Sequence, residues 1–143
     1  MTTHKFKNKF FRAISIALLC SYAAVFILPL SAFAASPAPN ELPTSGQVTA
    51  GQAAISQSGS RMDVNQTSQK AIINWQTFNI GSQGHVHFEQ PNASAAALNR
   101  VLTPDASQIF GKLTSTGQVF LLNPNGIIFG QGSSVNVGGI VAS

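Results

Sequence analysis

Five short apolar bursts in the last third of the chain are spaced too closely for helices. They are Ile109-Phe110, Val119-Phe120-Leu121-Leu122, Ile127-Ile128-Phe129, Val135-Asn136-Val137 and Ile140-Val141, divided by Gly, Ser, Thr or Asn. Many very short strands with glycine-rich corners point to a sandwich, a barrel or a β-solenoid. Val119 and Ile140 lie 21 residues apart, about one coil of a β-helix, which favours the solenoid. The final Gly138-Gly139-Ile140-Val141-Ala142-Ser143 reads as a strand in progress with no polar cap. Solenoid ends need a cap, so the chain is expected to be the front of a longer protein, or a truncated copy of one.

Upstream, the same strand logic holds. In the run from Ala71 to Ile80, apolar residues recur at two-residue spacing, and the phase slips between Trp75 and Phe78. Such a slip predicts a bend or bulge. Gly81 to Gly84 makes a turn. The stretch His85-Val86-His87-Phe88-Glu89 then alternates, sending Val86 and Phe88 to one face and the histidines to the other. Gln90-Pro91-Asn92 makes a second turn. Ala95 to Val101 suits a short helix by composition, yet Asn99-Arg100-Val101-Leu102 is equally strand-like, and both readings stay open. From Gln47 to Arg61 the small, polar pattern predicts short strands of modest burial.

The start of the chain is of a different kind. Lys5, Lys7, Lys9 and Arg12 precede an apolar run from Ala13 to Leu30, and Ala32-Phe33-Ala34 follows as a small-x-small exit before Ala35. These are the parts of a secretory signal peptide, with cleavage expected between Ala34 and Ala35. Cys20 lies inside the apolar run and reads as an ordinary core residue of the signal. Three parts follow: a helical signal over 1–34, an irregular proline-rich lead-in over 35–45, and a β domain over 46–143. Beyond the signal, Arg61, Lys70, Arg100 and Lys112 balance Glu41, Asp63, Glu89 and Asp105. No basic patch remains to neutralise phosphates, so nucleic acid is not an expected partner. That part has no cysteine, while its twenty Asn and Gln outnumber its eight charged residues. Such a composition disfavours long helices and suits strands and turns.

Residues that could carry chemistry are few. The four acids beyond the signal show no i, i+2, i+3 or i+4 pairing, and no G-x-S-x-G elbow or phosphate-cradling loop is present. No catalytic residue, cofactor or metal is therefore expected, and the chain is not expected to be an enzyme. His85 and His87 share a strand face with Glu89, but a solvent-facing polar stripe accounts for them better than a metal site. Asn65-Gln66-Thr67 and Asn92-Ala93-Ser94 match the glycosylation pattern, as chance matches would in so Asn-, Ser- and Thr-rich a chain.

The most informative segment runs from Leu121 to Gly130. Asn123 at position i, Pro124 at i+1 and Gly126 at i+3 are the favoured occupants of a type I turn. Pro124 presets its own φ, and the Asn123 side chain is placed to accept a backbone N–H. By chemistry alone this is a well-made corner between two strands.

The run Gly117-Gln118-Val119-Phe120-Leu121-Leu122-Asn123-Pro124-Asn125-Gly126-Ile127 closely resembles the N-terminal secretion domain of two-partner-secretion exoproteins. These are the filamentous-haemagglutinin-like adhesins and contact-dependent inhibition toxins of Gram-negative bacteria. Ile73 to Gly81, Val86 to Pro91, Leu98 to Val101 and the closing Gly138 to Ser143 are similar to the same family in the same order. The resemblance spans about residues 46–143. It implies an all-β fold, a right-handed parallel β-helix with an N-terminal cap. It also implies recognition by a dedicated outer-membrane β-barrel transporter, after passage through the inner-membrane secretion machinery by means of the signal peptide. The exoprotein would then cross largely unfolded to the cell surface or medium, where a host or neighbouring-cell receptor would be its target. By match to the family motif, Asn123, Pro124, Asn125 and Gly126 would be secretion determinants, with Asn99 and Arg100 as contributors. An upstream Asn-Pro-Asn-Leu motif found in some members has no counterpart here. The rival reading is a short, self-sufficient surface protein that binds carbohydrate.

Overall fold

The computed structural model describes residues 35–143. The signal sequence expected over 1–34, with Ala32 and Ala34 at its exit, lies outside the described residues, and Ala35 is the first within them. Among the described residues there is no helix. Twelve strands follow one another: β1 Gln47–Ala50, β2 Ala53–Ser58, β3 Arg61–Gln66, β4 Lys70–Trp75, β5 His85–Glu89, β6 Ala96–Val101, β7 Ser107–Ile109, β8 Lys112–Ser115, β9 Gln118–Leu122, β10 Ile127–Phe129, β11 Ser134–Asn136 and β12 Gly139–Ala142. The segment left open between helix and strand is thus β6.

The strands form three walls. The first wall runs β1-β4-β6-β9-β12, the second β11-β8-β5-β3-β2, and the third pairs β10 with β7. From β6 onward the chain visits the first, third and second walls in turn, then repeats. Each visit lies parallel to the strand one coil earlier: β4, β6, β9 and β12 on the first wall, β3, β5, β8 and β11 on the second. A single parallel bridge between Ile80 and Ile109 extends the third wall by one coil. This is a parallel β-helix, a β-solenoid of about four turns.

The register explains the spacing of the apolar bursts. Lys70 pairs with Ala96, Ala96 with Gln118 and Gln118 with Gly139, so successive coils take 26, 22 and 21 residues. Val119 stands directly beside Ile140. Because successive side chains on a strand point to opposite faces, one phase of each strand fills the coil. In β4 that phase is Ala71, Ile73 and Trp75; in β5 it is Val86 and Phe88; in β9 it is Val119 and Leu121. The break of phase after Trp75 is the end of β4. The chain turns there, so that Trp75 and Phe78 both reach the core, their rings edge to face at 5.5 Å and 83°. Edge-to-face contact suits the ring quadrupoles and adds to the area they bury.

The beginning of the coil is built differently. β1 runs antiparallel to β4, with a bulge between Val48 and Ala50, and β2 runs antiparallel to β3. Gly59 has φ of 57° and with Ser60 links β2 to β3. A positive φ at the first of two loop residues fits the hairpin turns whose twist matches the strands. The segment before β1 holds one isolated bridge, Thr44 to Thr77. It is pinned by backbone bonds from Gly81 to Glu41 at 2.9 Å and from Gln83 to Pro39 at 2.8 Å, and Leu42 is buried in the core.

Candidate functional site: the Asn123–Gly126 corner and the asparagine beneath it

The corner joins β9 on the first wall to β10 on the third, strands that pair with earlier coils and not with each other. The Gly126 N–H donates to the Asn123 carbonyl at 3.0 Å, closing a four-residue turn. The Asn125 N–H donates to Asn123 Oδ1 at 3.0 Å, as the turn chemistry of asparagine predicts. Among the described residues the only positive φ outside glycine is at Ser45. Asn125 is therefore not left-handed, which excludes types I′ and II and agrees with type I. Gly126 leaves the turn at φ of 102°, a conformation that favours glycine.

Asn123 itself is buried, 1% exposed. Its Nδ2 donates to the Asp105 carbonyl at 2.8 Å and to Ser107 Oγ at 3.0 Å. Asn125 Nδ2 donates to the Thr103 carbonyl at 3.2 Å. Two amides thereby tie the corner to the loop between β6 and β7, one coil earlier. Both donors and the acceptor of Asn123 are used, so the buried amide carries no desolvation penalty for an unmade bond. What remains outside is a rigid knuckle: Pro124, Asn125 and Gly126 are all exposed.

Asn99 and Arg100 stand one coil below, on β6, and the alternation of the strand separates them. Asn99 points inward and is fully buried. Its Oδ1 accepts the Trp75 Nε1–H at 2.9 Å, and its Nδ2 donates to the Phe120 carbonyl at 3.3 Å. One amide thus links β4, β6 and β9 through the core. Arg100 points outward and is exposed, between Asn74 and Leu122 in the register. Of the six expected determinants, four face solvent and two, Asn99 and Asn123, hold the inside together.

Sequence reasoning missed two further buried amides. Gln90 lies at the turn after β5, 4% exposed, and its Oε1 accepts the Gly117 N–H at 2.8 Å. Its Nε2 donates to Gln66 Oε1 at 3.3 Å and to the Gln118 carbonyl at 3.2 Å. Gln66 in turn donates to the Ala96 carbonyl at 3.1 Å. The signal for Gln66 was its phase, two residues after Val64; nothing marks Gln90.

On the outside of the second wall, His85 and His87 flank Thr114. His85 Nε2 and His87 Nδ1 lie 2.8 Å and 2.7 Å from the Thr114 hydroxyl. Arg61 Nη1 reaches His85 Nδ1 at 3.0 Å, and a guanidinium only donates, so that nitrogen accepts. Partial burial, then the Arg61 charge, pull the His85 pKa below its ordinary value. Arg61 also holds Asp63, mainly by direct hydrogen bonding, below the usual carboxylate range. Among the described residues no group of three His, Cys, Asp or Glu side chains is placed to hold a metal.

Comparison with known proteins gives a consistent picture. The profile of the TPS secretion domain matches residues 40–143. The heme/hemopexin-binding protein of Haemophilus influenzae strain Rd is 44% identical over 103 residues, 72% of this chain and 11% of that protein. A second Haemophilus influenzae heme/hemopexin-binding protein is 52% identical over 83 residues, 58% of this chain and 9% of its own length. The chain therefore spans about a tenth of these relatives. The crystal structure of the HMW1 secretion domain from Haemophilus influenzae matches with a TM-score of 0.66 and 39% identity, covering 68% of this chain and 26% of that one.

Proposed function

The chain belongs to the TPS secretion domain family, and from that premise we propose that it is the targeting end of an exported exoprotein, read by a partner outer-membrane β-barrel transporter. The chain enters the periplasm through the inner-membrane machinery, is recognised there, and is passed outward. The work of this domain is recognition and the start of folding; any adhesive or toxic activity belongs to the exoprotein that carries it. Absence of cysteine beyond Cys20 suits this route, since a disulfide-closed loop cannot thread a narrow pore. Low charge suits it too: few groups need desolvation in transit.

The observation that carries the reading is the family match over residues 40–143, joined to a corner whose buried half is fully bonded and whose outer half faces solvent. Exposed, rigid groups lose little freedom on binding, which suits them to recognition. Pro124, Asn125, Gly126 and Arg100 supply the contacts, while Asn123 and Asn99 hold them in place. The test is release of the exoprotein from cells that have or lack the transporter. Release should require the transporter, and Arg100→Ala, at an exposed outward-facing position, should lower release with little change in the melting temperature of the folded domain. Release that persists when the transporter is deleted would refute the assignment.

A further inference from the structure

Among the asparagines of the chain, Asn125 alone precedes a glycine. The side chain of the following residue is what ordinarily keeps an asparagine amide away from the next backbone nitrogen, and glycine has none. Asn125 and Gly126 are also exposed, so water reaches both. In an unwound chain the two can react with no partner but water. The Gly126 backbone nitrogen gives its proton to solvent, and its electron pair forms a bond to Asn125 Cγ. The Cγ–Nδ2 bond breaks, and Nδ2 leaves as ammonia after taking a proton from water. A five-membered succinimide remains. Water then opens it at one of its two carbonyl carbons. Breaking the Cγ–N bond gives aspartate, and breaking the bond to the main-chain carbonyl carbon gives isoaspartate. Water is consumed, ammonia is released, and nothing is oxidised or reduced.

The wound corner holds each group in that step away from the others. The attacking nitrogen of Gly126 has its N–H committed to the Asn123 carbonyl at 3.0 Å. The leaving group, Asn125 Nδ2, donates to the Thr103 carbonyl at 3.2 Å, and the Asn125 N–H is pinned to Asn123 Oδ1 at 3.0 Å. Ring closure also needs the ψ of Asn125 swung far from the value near 0° that the third residue of a type I turn holds. That rotation breaks the hydrogen bond that closes the turn. The step therefore waits on local opening, and its rate follows the population of the open corner. We propose that Asn125 is a site of spontaneous deamidation gated by winding, reactive in the unwound chain and shut by the Asn123–Gly126 corner and its tie to the β6–β7 loop. Either product is a permanent mark. Aspartate loses the donor to the Thr103 carbonyl and sets a carboxylate beside it, while isoaspartate adds a carbon to the main chain inside the turn. A chain left long unwound thus loses the means to rebuild its corner. The reaction requires no transporter.

The test follows residue 125 of the full exoprotein by peptide mass spectrometry at neutral pH, with isoaspartate separated from aspartate by chromatography. One sample is folded and the other is held in guanidinium chloride. In the unfolded sample Asn125 should deamidate faster than any other asparagine. In the folded sample it should react at least about tenfold more slowly, the factor that ~1.4 kcal/mol of local opening supplies. Asn123→Ala removes both the Oδ1 acceptor and the tie to the Asp105 carbonyl, and should raise the folded rate toward the unfolded one. If that variant fails to fold, wild type below its unfolding midpoint serves instead. There the rate at 125 should rise in step with hydrogen exchange of the Gly126 amide. In guanidinium chloride Gly126→Ala should slow the reaction, since a methyl group then shields the attacking nitrogen. Equal rates at 125 in folded and unfolded samples would overturn the gate, as would a folded Asn123→Ala that reacts as slowly as wild type. An unfolded Asn125 no faster than the other asparagines, or an unfolded rate untouched by Gly126→Ala, would remove the site itself.

Discussion

Two asparagines buried in this coil, Asn99 and Asn123, do opposite kinds of work. Asn99 sits mid-strand, and its amide reaches up and down the stack, to Trp75 one coil earlier and to the Phe120 carbonyl one coil later. Asn123 sits at a bend, and its amide reaches back one coil, to the Asp105 carbonyl in the β6–β7 loop and the Ser107 hydroxyl at the start of β7. The first fixes how coils stack. The second fixes the shape of a knuckle that solvent, or a partner, meets. A buried polar side chain can therefore serve either the core or the surface, and its bonding partners decide which.

Breaking the stack should cost most. Asn99→Leu fills the same space but strands the buried Trp75 Nε1–H and frees the Phe120 carbonyl. With about 1–3 kcal/mol for each buried group left unmade, unfolding should become easier by about 2–4 kcal/mol, read by urea denaturation. A loss well below 1 kcal/mol would mean that Asn99 is not a stacking link. Asn123→Ala comes next, at about 1–3 kcal/mol on the same basis. Its mark should be selective: faster hydrogen exchange at Asn125 and in the loop around Asp105, with the amides of β4 and β6 unchanged. Uniform loosening of the whole coil would erase the distinction between the two asparagines.

The smallest effect lies outside both, and serves as the control for an exposed chain of hydrogen bonds. His85 has a folded pKa below its ordinary value. As pH falls through about 6.5 the unfolded chain takes up its proton first, so stability is full above that pH and declines below it. Asp63, also lowered, adds stability above its unfolded pKa of 3.8 that is lost as pH falls through its folded value. Both act in the same direction, so acid should weaken the fold modestly, and the partly exposed Arg61–Asp63 pair adds little. His85→Gln should flatten the slope just below neutral pH. A slope unchanged by that substitution would show that His85 does not set it.

Much of this architecture could be read from the residues, because a coil repeats itself. The interval from Val119 to Ile140 is one turn of the coil, and the phase slip after Trp75 is the end of β4. The corner at Asn123 announced its own hydrogen bonds, since Asn, Pro and Gly act over three residues. Asn99 was harder. It follows Ala97 and precedes Val101 in the inward phase, but an amide in that phase looks like an error until Trp75 is seen beside it. Gln90 was illegible, as it lies in a turn and finds its partners in three separate coils. β8 was nearly so, with Leu113 the single large apolar residue in Lys112–Ser115. The antiparallel entry of β1 and β2 left no mark either, for strand direction is not written in alternation. The outward phase of the first wall was hidden for a related reason. Ile72, Leu98 and Phe120 look like core until the register shows that Ala71, Asn99 and Leu121 occupy that place.

The reversed strands at the beginning give the molecule a polarity. A further rung laid against β1 or β2 would meet a backbone running the wrong way for the parallel ladder, whereas one laid against β11 or β12 would continue it. The structure can thus lengthen from one side alone. Under the proposed route through a transporter, each newly delivered stretch would find its template in the stretch just settled, and winding itself would discourage the chain from slipping back.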